Sequence, residues 1–152
     1  MKMSPLQYLK YMMPIAGIAL LLGMASNAMA EQAEQAQHRL VIQVSTDDAR
    51  TQKIALNNAV NLQKLYGIDN VDIEIVAYGP GLGLLTTKSK QAERVKSLAV
   101  QNIKFSACGN TMKKVAKKTG KMPVLVEGVG EVEAGVARIL VLQEEGYAYI
   151  RP

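Results

Sequence analysis

The sequence predicts a three-layer α/β/α sandwich, in which helices cover both faces of a five-stranded, mostly parallel sheet. Five apolar segments with strand character alternate with four segments of helical spacing, and this alternation favours parallel strands joined by right-handed crossovers. The chain of 152 residues is long enough for one ordinary domain. It contains one cysteine, so an apolar core must stabilise the fold without disulfides. The order of the strands is left open.

The first 30 residues have the layout of a secretory signal peptide. Lys2 and Lys10 precede an apolar run from Met12 to Ala25, and Ala28-Met29-Ala30 forms an A-x-A cleavage site. The run is shorter than the roughly 20 apolar residues that span a bilayer, which makes a permanent anchor the weaker alternative. We therefore expect cleavage after Ala30 and a mature periplasmic or secreted protein without stable membrane insertion.

Removal of this leader changes the charge of the protein. Without Lys2 and Lys10, the 18 basic residues fall to 16 against 13 acidic ones, a net charge of +3 instead of +5. A value so close to neutrality favours neither nucleic acid nor a membrane surface as a partner. Residues 31–37 (EQAEQAQ) have no strand signal and predict a polar lead-in to a domain of residues 38–152.

The first half of the domain predicts two strands and a helix. Residues 38–45 (HRLVIQVS) predict the first strand, and Asp47 or Asp48 can cap the helix that follows. One face of that helix carries apolar residues at i, i+4, i+7 and i+11, namely Ala55, Ala59, Leu62 and Tyr66. Residues 71–78 (VDIEIVAY) predict the second strand, which Gly79-Pro80-Gly81-Leu82-Gly83 breaks with a tight turn.

The second half predicts three strands and three helices. A helix around residues 92–99 leads to a strand at 103–107 (IKFSA), directly before Cys108. Asn110 or Thr111 can cap the next helix, and a short fourth strand at 124–127 follows Pro123. The last helix covers 134–145 and the last strand 148–150. We expect the last helix to face inward with Val136, Ile139 and Leu140.

Functional sites in open parallel sheets form outside the carboxyl ends of the strands. Four segments of this chain qualify: Ser45-Thr46, the Tyr78 to Gly83 loop, Cys108 to Thr111, and the turn after Val126. Among them, Cys108 is the most informative residue because it lies between a strand end and a helix start. Unpaired amides and the positive end of the helix dipole favour a thiolate there, and Lys113 and Lys114 could add to the effect. The alternative is a small buried hydrophobic residue.

The remaining residues limit what a thiolate at this position could do. A Cys–His hydrolase needs a base beside the nucleophile, but His38 opens the first strand at the opposite end of the sheet. One histidine and one cysteine cannot form the usual zinc sites. A thiolate without a base can still attack sulfur and release it to another thiol, which points to a persulfide carrier.

Two neighbouring segments are candidates for secondary roles. The Gly79 to Gly83 segment lacks G-x-G-x-x-G spacing, because Leu84 replaces the third glycine, so its predicted role is structural rather than nucleotide binding. It would shape the pocket around the cysteine. The lysines of the third helix predict either a solvated face or a docking surface for an acidic partner or anionic sulfur compound, with Lys113, Lys114 and Lys117 closest to the site.

Three features of the mature chain resemble the DsrE/DsrF-like proteins of the DsrEFH superfamily. They are FSACGNTMKK around Cys108, the Tyr78-Gly79-Pro80-Gly81-Leu82 turn, and the ending GVARILVLQEEGYAYIRP from Gly135 to Pro152. The resemblance implies a flavodoxin-like fold and assembly into homotrimers or hexamers. In sulfur-relay members it implies a cysteine at this junction that carries persulfide sulfur, and Cys108 matches that position.

The functional prediction is therefore an exported DsrE-like sulfur carrier or sulfurtransferase that uses Cys108 and no cofactor or metal. A sulfane-sulfur donor or acceptor protein would be its partner. The thiolate would be stabilised, and its pocket walled, by Gly109, Asn110, Thr111, Tyr78, Gly79, Pro80 and Gly81. The alternative is a non-catalytic oligomeric module that binds a small ligand or a partner, with a buried structural cysteine.

Overall fold

The computed structural model describes residues 38–152, and the predicted leader and polar lead-in lie outside this part. The strands are β1 (His38–Val44), β2 (Val71–Ala77), β3 (Ile103–Cys108), β4 (Val129–Val132) and β5 (Ala148–Ile150). The α-helices are α1 (Ala49–Tyr66), α2 (Ala92–Val100), α3 (Gly109–Thr119) and α4 (Gly135–Glu144), and a 3₁₀ helix covers Gly79–Leu85.

The five strands form one parallel sheet in the order β4-β3-β2-β1-β5. The chain moves one strand at a time from β1 to β4 and then crosses the whole sheet to place β5 beside β1. Helices cover both faces, which confirms the predicted flavodoxin-like α/β class.

The two faces of the sheet are covered unequally. One core cluster joins alternate residues of β1, β2 and β3 to α1, α2, α3 and the 3₁₀ helix. The other face packs against α4 through a smaller cluster of Val41, Val76, Ile139, Leu142 and Tyr147. Within residues 38–152, α4 is therefore the one helix that covers the second face.

The fourth strand differs from its predicted position at residues 124–127. Those residues instead bond to the end of the 3₁₀ helix, where the Val126 amide donates to the Leu85 carbonyl oxygen at 2.9 Å and Thr87 donates to Val124 at the same distance. Gly128, with φ at +86°, then turns the chain so that residues 129–132 pair with β3. The Gly-rich segment itself forms β4. The apolar pattern of residues 124–127 therefore gave the wrong position for the fourth strand.

The inward face of α4 was only partly predicted. Ile139 is buried as expected, but Val136 and Leu140 are 66% and 58% exposed, and Leu142 is buried instead. The first helix differs in the same way, because Gln52 and Leu56 join Ala55 and Ala59 in the buried face, whereas Tyr66 is exposed. Apolar residues on both sides of a short helix do not determine its rotation.

The glycine segment after β2 forms a 3₁₀ helix rather than a simple tight turn. A side chain at Gly81 would collide with the carbonyl group of Val44, so this close approach to the end of β1 requires glycine. This contact gives the segment a structural role at the end of β1, whereas its predicted role was to shape the pocket around Cys108. Within residues 38–152, no helix is both long enough and apolar enough to cross a membrane.

Candidate functional site

Cys108 ends β3 and is also the residue from which α3 starts. Its backbone is extended, and the next residue, Gly109, is the first of the helix. The side chain is buried, with 6% of the residue exposed. A side chain at position 109 would meet the Glu131 carboxylate and the Val132 carbonyl group, so glycine allows β4 to pass close to the cysteine.

The cysteine lies where the chain connections change direction. Strands β3 and β4 are neighbours, yet the helix after β3 packs on one face of the sheet and the helix after β4 packs on the other. Such a divergence opens a crevice at the carboxyl edge of a parallel sheet. The first turns of α3 and α4 therefore both lie beside Cys108.

Groups at the starts of both helices favour ionisation of the Cys108 thiol. Burial raises the pKa of the Cys108 thiol, but hydrogen bonds from the Thr111 hydroxyl group and from the amides of Gly135, Thr111 and Asn110 outweigh burial and bring this pKa below its ordinary value. These groups donate to the thiolate better than to the neutral thiol, which is why they favour ionisation. The site is built to hold a thiolate.

Thr111 links the sulfur atom to the glycine segment. The Gly79 amide donates to Thr111 Oγ1 at 3.0 Å, which leaves the single hydroxyl proton of Thr111 for the sulfur atom. Gly79 therefore acts on Cys108 through Thr111 rather than by direct contact. Of the other predicted neighbours, Gly81 packs against Val44 at the end of β1, and Pro80 lines a separate cleft.

Sequence reasoning missed Gly135, the first residue of α4. A Cβ atom at this position would lie 3.3 Å from Cys108 Cβ and 3.1 Å from the Tyr78 ring, so the absence of a side chain lets α4 begin against the cysteine. Tyr78, one of the predicted pocket residues, packs against the start of α4 at the same glycine. The Asn110 amide also donates to the Glu133 carbonyl oxygen at 3.1 Å, which ties α3 to the segment before α4.

A buried ionic network anchors α4 on the sheet close to this point. Glu74, 1% exposed on β2, accepts hydrogen bonds from Arg138 Nε at 2.9 Å and Arg138 Nη2 at 2.6 Å. Ser106, two residues before the cysteine on β3, donates to Glu74 Oε1 at 2.6 Å. Because Arg138 lies one turn after Gly135, the network restrains the helix turn whose amide reaches the sulfur.

The lysines expected near the site lie on the outer side of α3. Lys113, Lys114 and Lys117 are exposed, and within the described residues none of them forms an ion pair. The causes identified for the lowered pKa of Cys108 are hydrogen bonds, so the expected contribution of Lys113 and Lys114 is not needed to explain it.

His38 lies at the start of β1, at the edge opposite Cys108, as the sequence predicted. It is exposed and stacks on Tyr66 with 3.8 Å between ring centroids. It cannot act as a base for a sulfur atom at the carboxyl edge of the sheet. Across residues 38–152, no group of three His, Cys, Asp or Glu side chains is arranged to hold a metal ion.

Fold and site together define a class: a parallel α/β protein with one cysteine held at the crevice between two diverging helices. The chain is 35% identical to MTH1491 from Methanobacterium thermoautotrophicum, a protein of unknown function, with a TM-score of 0.68 over 76% of this chain and 99% of that one. The chain belongs to the family of MTH1491, whose members have the DsrE-like fold.

A second solved structure extends the comparison of folds. The YchN protein from E. coli has a TM-score of 0.60 over 76% of this chain and 99% of its own, at 13% identity. This likeness concerns the DsrE-like fold alone. No protein-family model and no curated protein matches the sequence.

Proposed function

We propose that the protein is a sulfur carrier in which Cys108 holds sulfane sulfur as a persulfide. The observation that supports this most strongly is the place of Cys108 directly before α3, with Gly135 at the start of α4 packed against it. The Thr111 hydroxyl group and the amides of these helix starts lower the pKa of the Cys108 thiol. No histidine lies beside the sulfur to activate water or to protonate a leaving group, so the site suits a nucleophile that needs no base.

The proposed step is a simple exchange at sulfur. The Cys108 thiolate attacks the outer sulfur of a donor persulfide, R–S–SH, forming the new S–S bond of Cys108–S–SH. The S–S bond of the donor breaks, its electron pair leaves with R–S⁻, and no external oxidant or reductant is required. The lowered pKa of the Cys108 thiol increases the fraction of attacking thiolate at a given pH.

Intact mass measured after incubation with a sulfane-sulfur donor tests this proposal. We expect the wild-type chain to gain about 32 Da, the mass of one sulfur atom, and to lose it again on addition of an acceptor thiol. The Cys108→Ser variant should gain nothing. Absence of the added mass on the wild-type chain, or equal addition to the serine variant, would contradict the proposal.

The burial of Cys108 favours a second candidate function, a non-catalytic oligomeric module that binds a small ligand or a partner. With 6% of the residue exposed, the thiol could be a structural part of the core. Native alkylation separates the two functions, because a structural thiol reacts only after unfolding. A carrier thiol reacts in the folded protein with an apparent pKa below that of free cysteine.

Export and assembly belong to the same proposal. The leader would direct the chain to the periplasm or the medium, and the intact mass of protein recovered there reports cleavage after Ala30. The proposal also includes assembly into homotrimers or hexamers. It includes a sulfur-donating or sulfur-accepting partner that docks on Lys113, Lys114 and Lys117. Their support is the family resemblance and the unpaired positive charge on the outer side of α3.

A further inference from the structure

A cleft of about 670 Å³ lies beside the site, and none of Cys108, Gly109, Asn110 and Thr111 lines it. Its walls are the 3₁₀ helix, α3 at Val115 and Thr119, and the segment from Lys121 to Val124. This volume lies within the range of 300–1,000 Å³ that is typical of small-molecule sites.

Hydrogen bonds of the backbone and of the Thr119 side chain fix the walls of the cleft. Thr87 and Val124 are joined by their backbones at 2.9 Å, and the Thr119 hydroxyl contacts the carbonyl oxygens of Val115 at 2.9 Å and Lys121 at 3.1 Å. These bonds tie the segment after α3 both to the helix end and to the segment after the 3₁₀ helix. A ligand would therefore enter a preformed site.

The lining combines an apolar surface with unpaired positive charge. Its apolar members are Pro80, Leu82, Val115, Met122, Pro123 and Val124. Met122 and Val124 are 55% and 66% exposed, so apolar surface in the cleft is accessible to a ligand. Lys88 and Lys121 also line the cleft, no acidic residue does, and within the described residues neither lysine has an ion-pair partner.

From this charge and shape we propose that the cleft binds an amphipathic organic anion, with its apolar body between the 3₁₀ helix and Val124 and its acidic group at Lys88 and Lys121. A cation has no carboxylate to bind there. A nucleotide base has no aromatic lining residue on which to stack. The Gly79 and Gly81 amides, which could have cradled a phosphate, already donate to Thr111 and to the Tyr78 carbonyl oxygen.

The fluorescent anion 8-anilinonaphthalene-1-sulfonate tests the proposal with the full chain at constant ionic strength. We expect saturable binding of one molecule per chain, with amide chemical-shift changes at Gly83, Thr87, Thr119 and Met122. The variant Lys88→Glu/Lys121→Glu should bind at least tenfold more weakly. The matched variant Lys117→Glu/Lys118→Glu has the same change of charge on residues outside the lining, and should bind within threefold of wild type.

Two comparisons make the test decisive. The neutral analogue N-phenyl-1-naphthylamine lacks the sulfonate group and should bind at least tenfold more weakly than the anion. Equal affinity for both probes, equal losses in the two charge variants, or exclusion of the probe because a second copy of the chain covers the cleft would overturn the proposal. Cys108→Ser should keep wild-type affinity, so this result is independent of sulfur transfer.

Discussion

At the scale of single residues, the chemistry of Cys108 depends on the few hydrogen-bond donors that surround its sulfur atom. Thr111 is the most versatile of them, because its hydroxyl group donates to the sulfur while accepting the Gly79 amide. Gly109 and Gly135 contribute by having no side chain, which lets β4 and the start of α4 come close. The site therefore uses hydrogen bonds and close approach, and no neighbouring charge is needed.

Replacing Thr111 tests this account of the thiolate. Thr111→Val keeps the side-chain shape but removes the hydroxyl donor, so the thiol pKa should rise by about one unit, since a hydrogen bond to a charged group contributes about 1.5 kcal/mol or more. The pH dependence of the iodoacetamide reaction rate measures this pKa. Thr111→Ser retains the hydroxyl and should stay near wild type; a valine variant with an unchanged profile would show that the hydroxyl has no such role.

At the scale of secondary-structure elements, α4 decides whether the cysteine has a second helix start beside it. The helix is short and apolar on both sides, so apolar packing alone leaves its rotation undetermined. The hydrogen bonds of Arg138 to Glu74, which also accepts from Ser106, supply the missing restraint. We therefore expect a substitution in this network to change both the free energy of unfolding and the pKa of the Cys108 thiol.

A double-mutant cycle measures that coupling. Arg138→Met leaves the Glu74 carboxylate buried without its cation, which should lower the free energy of unfolding by about 3 kcal/mol. Adding Glu74→Gln removes the unpaired charge while its amide oxygen still accepts from Ser106, so most of the loss should be recovered. Urea denaturation gives both values, and alkylation of the single variant should also show a raised thiol pKa.

The cycle has a clear negative outcome. If Glu74→Gln adds its own loss to that of Arg138→Met, the two side chains do not act as a pair. If the thiol pKa is unchanged while stability falls, the network supports the fold without positioning Gly135.

At the scale of the whole molecule, ionisation of Cys108 is linked to folding. The pKa of the thiol is lower in the folded chain than in an unfolded chain, where it is about 8.5. Between these two values the unfolded chain binds more protons, so the stability of the folded state rises with pH across that interval. This contribution is complete above about 8.5 and is lost as the pH falls through the folded pKa.

The stability of wild type relative to Cys108→Ser should therefore increase with pH below about 8.5 and then level off. The increase should be about 1.4 kcal/mol for each unit by which the folded pKa lies below the unfolded one. Denaturant titrations at a series of pH values under reducing conditions measure it. A difference that stays constant or falls with pH would mean that the fold does not favour the thiolate.

Much of this arrangement could be predicted from local patterns, and the exceptions share one cause. The strand end before Cys108 and the helix start after it are adjacent in sequence, so their roles were predictable. Gly135, Glu74 and Arg138 lie far from Cys108 along the chain, and no local pattern connects them to it. The displaced fourth strand has the same origin, because residues 124–127 pair with the distant 3₁₀ helix rather than with β3.

Alternating periodicity, capping residues and glycine placement suffice to specify the α/β class, most of the elements and a cysteine at a strand–helix junction, because these signals act within a few residues. The order β4-β3-β2-β1-β5, the rotation of α4 and the meeting of two helix starts at one sulfur depend on which distant surfaces pack together. Packing sums small contributions over the whole chain, so these features exist only in the folded protein. The cysteine stands out in the sequence, but its environment is a product of the tertiary structure.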